Sequence, residues 1–166
     1  MIVLGIDPSF TATGYAIMAQ VGNKQQLLHY GSVALPANLI LSDRIGIFYE
    51  VLKNLIEKYC VTKISLETPF LGKNAQIFLK LGYLRGVVHL LAHQHKVSIV
   101  EFSPREVKLA VTGFGGAEKD QIARMIGMLF PGLIVQKSND VTDAIAISLC
   151  GLWSSRHSGL DLGSRY

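Results

Sequence analysis

Apolar and polar positions change period along this chain, and the changes mark its elements. Ile2-Val3-Leu4-Gly5-Ile6 is a short apolar run closed by Asp7, which predicts a strand over 2–7. A turn around Pro8-Ser9 leads to a second strand over 13–20, beginning Thr13-Gly14-Tyr15-Ala16-Ile17-Met18. A further turn at Gly22-Asn23-Lys24 opens a third over 26–34, and turns this short suit an antiparallel meander. After Pro36 the spacing becomes helical. Ile45, Phe48, Leu52, Leu55, Ile56 and Tyr59 line one face of an amphipathic helix over 42–59. Residues 62–67 and 97–102 are expected as the fourth and fifth strands, with a helix over 75–93 between them.

Helix punctuation organises the rest. Ser103-Pro104-Arg105-Glu106 is a capping box with proline at the first helical position, so a short helix starts there and stops near Thr112-Gly113. Gly115-Gly116 makes a loop, Glu118 to Phe130 a further helix ended by Pro131-Gly132, and 140–153 the last. The polar residues 154–166 read as a flexible C-terminal tail. The order predicts an α/β fold: one domain over 1–153, with a five-stranded mixed sheet flanked by helices on both faces. Helix 75–93 is unusual in being apolar nearly all round, with Gly82 and Gly86 four residues apart. It is either a core helix covered on both sides or one whose free face is a two-fold dimer interface.

Composition narrows the class. At 166 residues, with 49% hydrophobic and 17% charged residues, the chain buries about two thirds of its unfolded surface and is not a disordered protein. Lys80, Arg85 and His89 interrupt the apolar stretch of 75–93, so no run of about 20 apolar residues suggests a membrane span. The opening apolar run is five residues long with no basic residues before it, unlike a signal peptide. Cys60 and Cys150, both in apolar contexts, are expected as buried free thiols of a cytoplasmic protein. The net charge of +4 and pI of about 9.1 suit a polyanionic substrate.

The candidate chemistry lies in the placing of the acids. Asp7 and Glu67 each close an apolar strand, and Asp140 and Asp143 sit three apart at the head of the last helix. A strand-end carboxylate is desolvated, which costs several kcal/mol unless a cation compensates. Each acid has a plainer account alone: Asp-Pro favours turns, and acids suit the first turn of a helix. Glutamate, however, is depleted in strands. Jointly the four form an oxygen-donor set for Mg²⁺, the ion that holds phosphates during in-line displacement. His89, His93 and His95 suggest zinc, and His89 and His93 have helical spacing, but no cysteine or third ligand has suitable spacing.

Gly5-Ile6-Asp7-Pro8, Thr13-Gly14-Tyr15, Glu67 with Phe70, and Lys73-Asn74-Ala75 resemble the RuvC family of Holliday-junction resolvases. So do Leu79-Lys80-Leu81-Gly82, Arg85-Gly86-Val87, Pro104 to Lys108, Ala117-Glu118-Lys119 and Asp140 to Ala144, in order through about residue 150. The resemblance implies a ribonuclease-H-like fold, a homodimer, and Mg²⁺- or Mn²⁺-dependent paired nicking of four-way DNA junctions. It implies 5′-phosphate and 3′-hydroxyl products, and loading by a RuvA–RuvB branch-migration complex. Asp7, Glu67, Asp140 and Asp143 become the catalytic acids and metal ligands, with Asp7 bridging two ions about 4 Å apart. Phe70 becomes a stacking surface for an unpaired base at the crossover. Lys73, Asn74, Arg85, Arg105, Lys108 and Lys119 become DNA contacts, the cations among them neutralising phosphates.

Two stretches depart from the family pattern: Ser9-Phe10-Thr11 where a small glycine-containing loop is usual, and Thr68-Pro69 after the second acid. Neither removes a ligand, but both border the mouth of the site. Three other readings remain open. A sugar-kinase or actin-like ATPase also begins Gly-Ile-Asp, but needs two such domains and a second phosphate loop. A related ribonuclease-H-fold nuclease would act on RNA or an RNA·DNA hybrid. A non-catalytic junction-binding module would be expected to have lost acids, and here all four are present.

Overall fold

The computed structural model describes residues 1–22, 24–69, 75–133 and 139–154. Its elements run β1 (Ile2–Asp7), β2 (Ala12–Val21), β3 (Lys24–Ala34), α1 (Leu41–Tyr59), β4 (Lys63–Glu67), α2 (Ala75–His95), β5 (Ser98–Phe102), α3 (Pro104–Thr112), α4 (Lys119–Leu129) and α5 (Asn139–Ser154). The sheet order is β3-β2-β1-β4-β5. The β1–β2 and β2–β3 pairs are antiparallel, as short turns demand, while β1–β4 and β4–β5 are parallel across helical crossovers. A register shift at Ile17/Met18 interrupts the β2–β3 ladder, which alternation of residues alone does not reveal.

Strand alternation divides the core into two layers. Leu4, Ile6, Ile64 and Leu66 face α1 and α2, packing with Phe48, Leu52, Leu84 and Val88. Val3, Ala16 and Met18 face the other way, onto Ile126, Ile145, Leu149 and their neighbours from α3 to α5. The capping box of α3 forms as its sequence predicts. Ser103 Oγ accepts from the Glu106 amide at 3.2 Å, and a Glu106 carboxylate oxygen accepts from the Ser103 amide at 2.7 Å.

Two expectations change, and one open alternative is decided. Cys150 is buried but Cys60 is exposed, because it is the residue that ends α1 in the left-handed conformation (φ 50°, ψ 50°). Helix α2 is not covered on both sides. It buries Leu84, Val88, Leu91 and Ala92 while Leu79, Tyr83 and Leu90 are exposed. Helix α5 carries through Ser154, one residue past its expected end; the rest of the tail, 155–166, lies outside the described residues. Among the described residues no helix is long and apolar enough to cross a membrane.

Candidate active site

Strands β1 and β4 lie side by side with Ile6 opposite Leu66, so Asp7 and Glu67, one residue further on, leave the same sheet edge together. They share the parity of Gly5 and Ser65, the positions that meet α5. The third and fourth acids arrive on that helix, whose seat is built from small and hydroxyl residues. The Gly5 amide donates to Ser148 Oγ at 2.9 Å, and that hydroxyl donates to the Ala16 carbonyl at 2.8 Å. Ser65 Oγ donates to the Ile147 carbonyl at 2.7 Å. These buried bonds cross from sheet to helix and fix its position along β1, β2 and β4. The sheet also needs glycine at the contact. A Cβ on Gly5 would stand 2.5 Å from the Ala144 carbonyl oxygen and 2.6 Å from the Ser148 amide nitrogen. One on Gly14, the cross-strand partner of Asp7, would overlap the Asp140 carbonyl.

The result is a cleft of about 290 Å³ lined by Asp7, Glu67 and Asp143, with Lys108 of α3 and Lys119 of α4 among its walls. Asp140 stands at its margin, beside Gly14. Burial first, then the charges of Asp143, Glu67 and Asp140, push the Asp7 carboxyl up to about 7, against the pull of Lys119. Burial and Asp143 also raise Glu67, while Lys119 and Lys108 oppose the shift. Lys119 Nζ lies 3.0 Å from Asp143 Oδ2, and this hydrogen bond holds the ammonium proton more tightly than usual. The electrostatics describe carboxylates crowded beyond what water can relieve, with one ammonium drawn in among them.

The loop after Asp7 is pinned from both sides. Thr13 Oγ1 donates to the Ser9 carbonyl at 3.0 Å and accepts from the Ser9 amide at 3.2 Å. Arg44 of α1 donates to the Phe10 carbonyl and lies over the Phe10 ring, 4.9 Å from its centroid. The unusual Ser9-Phe10-Thr11 sequence is therefore a held loop directly after Asp7, with Phe10 packed toward the α1 side of the sheet.

The expected DNA contacts divide. Lys108 and Lys119 join the acids. Arg105 is exposed on α3, its stem lying over Gly115. Arg85 is turned into the protein instead of out to a phosphate: its side chain is only 12% exposed, with Nη1 on the Glu67 carbonyl at 2.8 Å and Nη2 on Glu101 at 2.6 Å. Phe70, Lys73 and Asn74 lie outside the described residues. What sequence reasoning missed is the supporting set of Gly5, Gly14, Ser65 and Ser148. Their one signal was small and polar residues within otherwise apolar strands and helix.

Residues 3–151 match the family model for the crossover junction endodeoxyribonuclease RuvC. The chain belongs to the RuvC family. It is similar to the crossover junction endodeoxyribonuclease RuvC of Halothermothrix orenii, 38% identical over 150 residues that cover 90% of this chain and 91% of the relative. Its counterpart in Chlorobium phaeovibrioides is 42% identical over 153 residues, covering 92% and 81%. Among solved structures, Thermus thermophilus RuvC in complex with a Holliday junction substrate superposes with a TM-score of 0.89 at 26% identity, covering 95% of this chain and 96% of that one. The yeast mitochondrial Holliday junction resolvase Ydc2 shares the fold, with a TM-score of 0.68 at 16% identity over 95% and 80%. The five-stranded mixed sheet with helices on both faces is thus the ribonuclease-H-like fold of RuvC proteins.

The donor set of this RuvC-family cleft can be judged against a divalent metal. Its groups are all carboxylate oxygens, the chemistry Mg²⁺ and Mn²⁺ prefer, and their mutual repulsion is what a dication would relieve. Among the described residues no three acidic, histidine or cysteine side chains are gathered into a finished cage, and Asp143 pairs with Lys119 at 3.0 Å. The residues fit a metal in kind and charge, with Lys119 as the competing cation.

Proposed function

We propose that this chain is a structure-selective endonuclease that resolves four-way DNA junctions by paired symmetric nicks, in homologous recombination and DNA repair. The observation that carries the reading is the desolvated cluster of Asp7, Glu67 and Asp143, with Asp140 at its margin, at the carboxyl ends of β1 and β4 in a RuvC-family chain. Asp7, Glu67, Asp140 and Asp143 would hold two Mg²⁺ ions, with Mn²⁺ as a substitute. Bound there, the metal supplies an activated water near neutral pH and stabilises the leaving 3′ oxygen, giving 5′-phosphate and 3′-hydroxyl ends. The chain's own part is to hold four oxygen donors on two strands and one helix, and to offer Lys108 and Lys119 to the phosphate backbone. Arg105, and Phe70, Lys73 and Asn74 from the segment outside the described residues, would extend that contact to the crossover.

The working unit we infer is a homodimer, supported by α2. Leu79, Tyr83 and Leu90 are exposed and, with Gly86, follow a four-three-four spacing that makes one continuous seam. The seam is opposite the face that packs on the sheet, and a Cβ added at Gly82 or Gly86 would meet nothing within 4 Å. A second copy laid there gives two cleavage sites related by a two-fold axis, matching the two equivalent strands of a junction. Delivery to DNA by a RuvA–RuvB complex is part of the same family-level proposal.

Cleavage of a synthetic four-way junction in Mg²⁺, with Asp7→Asn in parallel, tests the function. Ligatable paired nicks that disappear in the variant while junction binding persists are expected. Cleavage by Asp7→Asn at the parental rate would sink the assignment of the acids. Activity on an RNA·DNA hybrid in place of the junction would make the chain a ribonuclease-H-type enzyme of another substrate class.

A further inference from the structure

Glu67 is the last residue of β4, and the β1–β4 ladder ends at the pair before it, Ile6–Leu66. On the β5 side the sheet still offers support: Glu67 is opposite Phe102, and the Thr68 amide donates to the Phe102 carbonyl at 2.8 Å. The Glu67 carbonyl itself is held by a side chain. Arg85 Nη1 donates to it at 2.8 Å, and Nη2 of the same guanidinium meets Glu101 Oε1 at 2.6 Å. The side chain of Arg85 is 12% exposed and comes from α2, on the turn that buries Leu84 and Val88 in the core. Glu101 belongs to β5, so one guanidinium ties the end of β4 to α2 and β5 at once.

We propose that Arg85 is a positioning residue for Glu67: braced by Glu101, its guanidinium fixes the peptide at the end of β4 and so holds the Glu67 carboxylate toward the cleft. Charge-assisted bonds are about twice as strong as neutral ones, and only a planar fork serves two acceptors in fixed relation. A lysine there keeps the charge but cannot bridge both oxygens. Groups that orient a metal ligand from behind are worth about 10- to 100-fold in metal affinity or activity. The inference rests on the reading of Glu67 as a metal ligand. It also makes α2, the helix with the exposed apolar seam, a direct support of the active site.

The test compares the parental chain with Arg85→Lys and Glu101→Gln in three measurements. These are Mn²⁺ titration of the DNA-free protein by electron paramagnetic resonance, junction binding in Ca²⁺ at several salt concentrations, and the Mg²⁺ dependence of cleavage at saturating junction. Arg85→Lys is expected to bind Mn²⁺ about 10- to 100-fold more weakly, with unchanged junction affinity and cleavage partly restored by raising Mg²⁺. Glu101→Gln, an exposed change that leaves Arg85 in place, is expected to shift the metal curves the same way by less. It decides the matter if Arg85→Lys does not fold. Parental Mn²⁺ affinity in Arg85→Lys, or in Glu101→Gln alone if the lysine variant is unfolded, would overturn the proposal. So would weaker junction binding with a shallower salt dependence, which would make Arg85 a phosphate contact. A parental chain that cleaves junctions yet binds no Mn²⁺ would refute the metal-ligand reading of Glu67 and this inference with it.

Discussion

Asp7 shows what a buried carboxyl among other acids costs its own fold. Without metal its carboxyl is raised from an ordinary 3.8 to about 7, so the folded chain keeps a proton there that the unfolded chain has lost. Between those values the native state binds more protons than the unfolded state, and stability falls as pH rises through the window from about 4 to 7. The full penalty, on the order of 4 kcal/mol for this one group, is present above pH 7. Asp7→Asn removes it. The metal-free variant is expected to melt higher than the parent at pH 8, the gap closing as pH falls toward 4. Saturating Mg²⁺ should raise the parent's midpoint at pH 8 and the variant's much less. Parallel melting curves of the two proteins across that range would show that crowding of carboxylates is not what burdens the cleft. The acids were legible as residues because Asp7 and Glu67 stand where an apolar period ends, and Asp140 and Asp143 where one begins. Arg85 was not: a lone arginine on a helix face reads as surface, and its two acceptors come from β4 and β5, distant in sequence.

At the scale of elements, the precision of the site is the precision with which α5 sits on the sheet. Asp140 and Asp143 have no strand to align them, so their place depends on the contact made further along, at Gly5 and Ser148. Gly5→Ala is expected to push α5 off β1, because the new methyl would meet backbone atoms at 2.5 and 2.6 Å, which cannot swing aside. A loss of about 1–3 kcal/mol follows, as for other overpacked cores, and junction cleavage should fall steeply although no charged group has changed. Gly46→Ala in α1 is the matched control. Nothing lies within 4 Å of its added methyl, so it should gain roughly 0.5–1 kcal/mol in thermal or denaturant unfolding with cleavage untouched. Equal behaviour of the two variants would mean that α5 is not seated by this contact. The existence of α5, and of every other element, was written in the chain's periodicity and caps, with ends within two residues of those observed. Its seat was not, because close approach is set by which glycine of one element meets which serine of another, 143 positions away.

For the whole molecule the open question of helix 75–93 becomes a question of number. A helix apolar on two opposite faces has its inner face satisfied by the sheet, leaving Leu79, Tyr83 and Leu90 at 57%, 41% and 49% exposure. A seam of this kind in solution marks an interface, and its heptad-like spacing suits a second helix of the same kind. Replacing both Tyr83 and Leu90 by glutamate places charges in the seam without touching the core, so each chain should stay folded, melting lower only by what pairing contributed. Sedimentation velocity is then expected to report a monomer for the variant and a dimer for the parent. The functional consequence separates pairing from chemistry. On a supercoiled plasmid bearing a cruciform, a dimer cuts both equivalent strands within one encounter and yields linear DNA. A monomer with an intact cleft cuts one, and release of supercoiling removes the cruciform before the second cut, so nicked circles accumulate. A double variant that stays dimeric would show that the seam is not the interface. One that is monomeric yet still linearises the plasmid would show that symmetry of the enzyme is not what pairs the nicks.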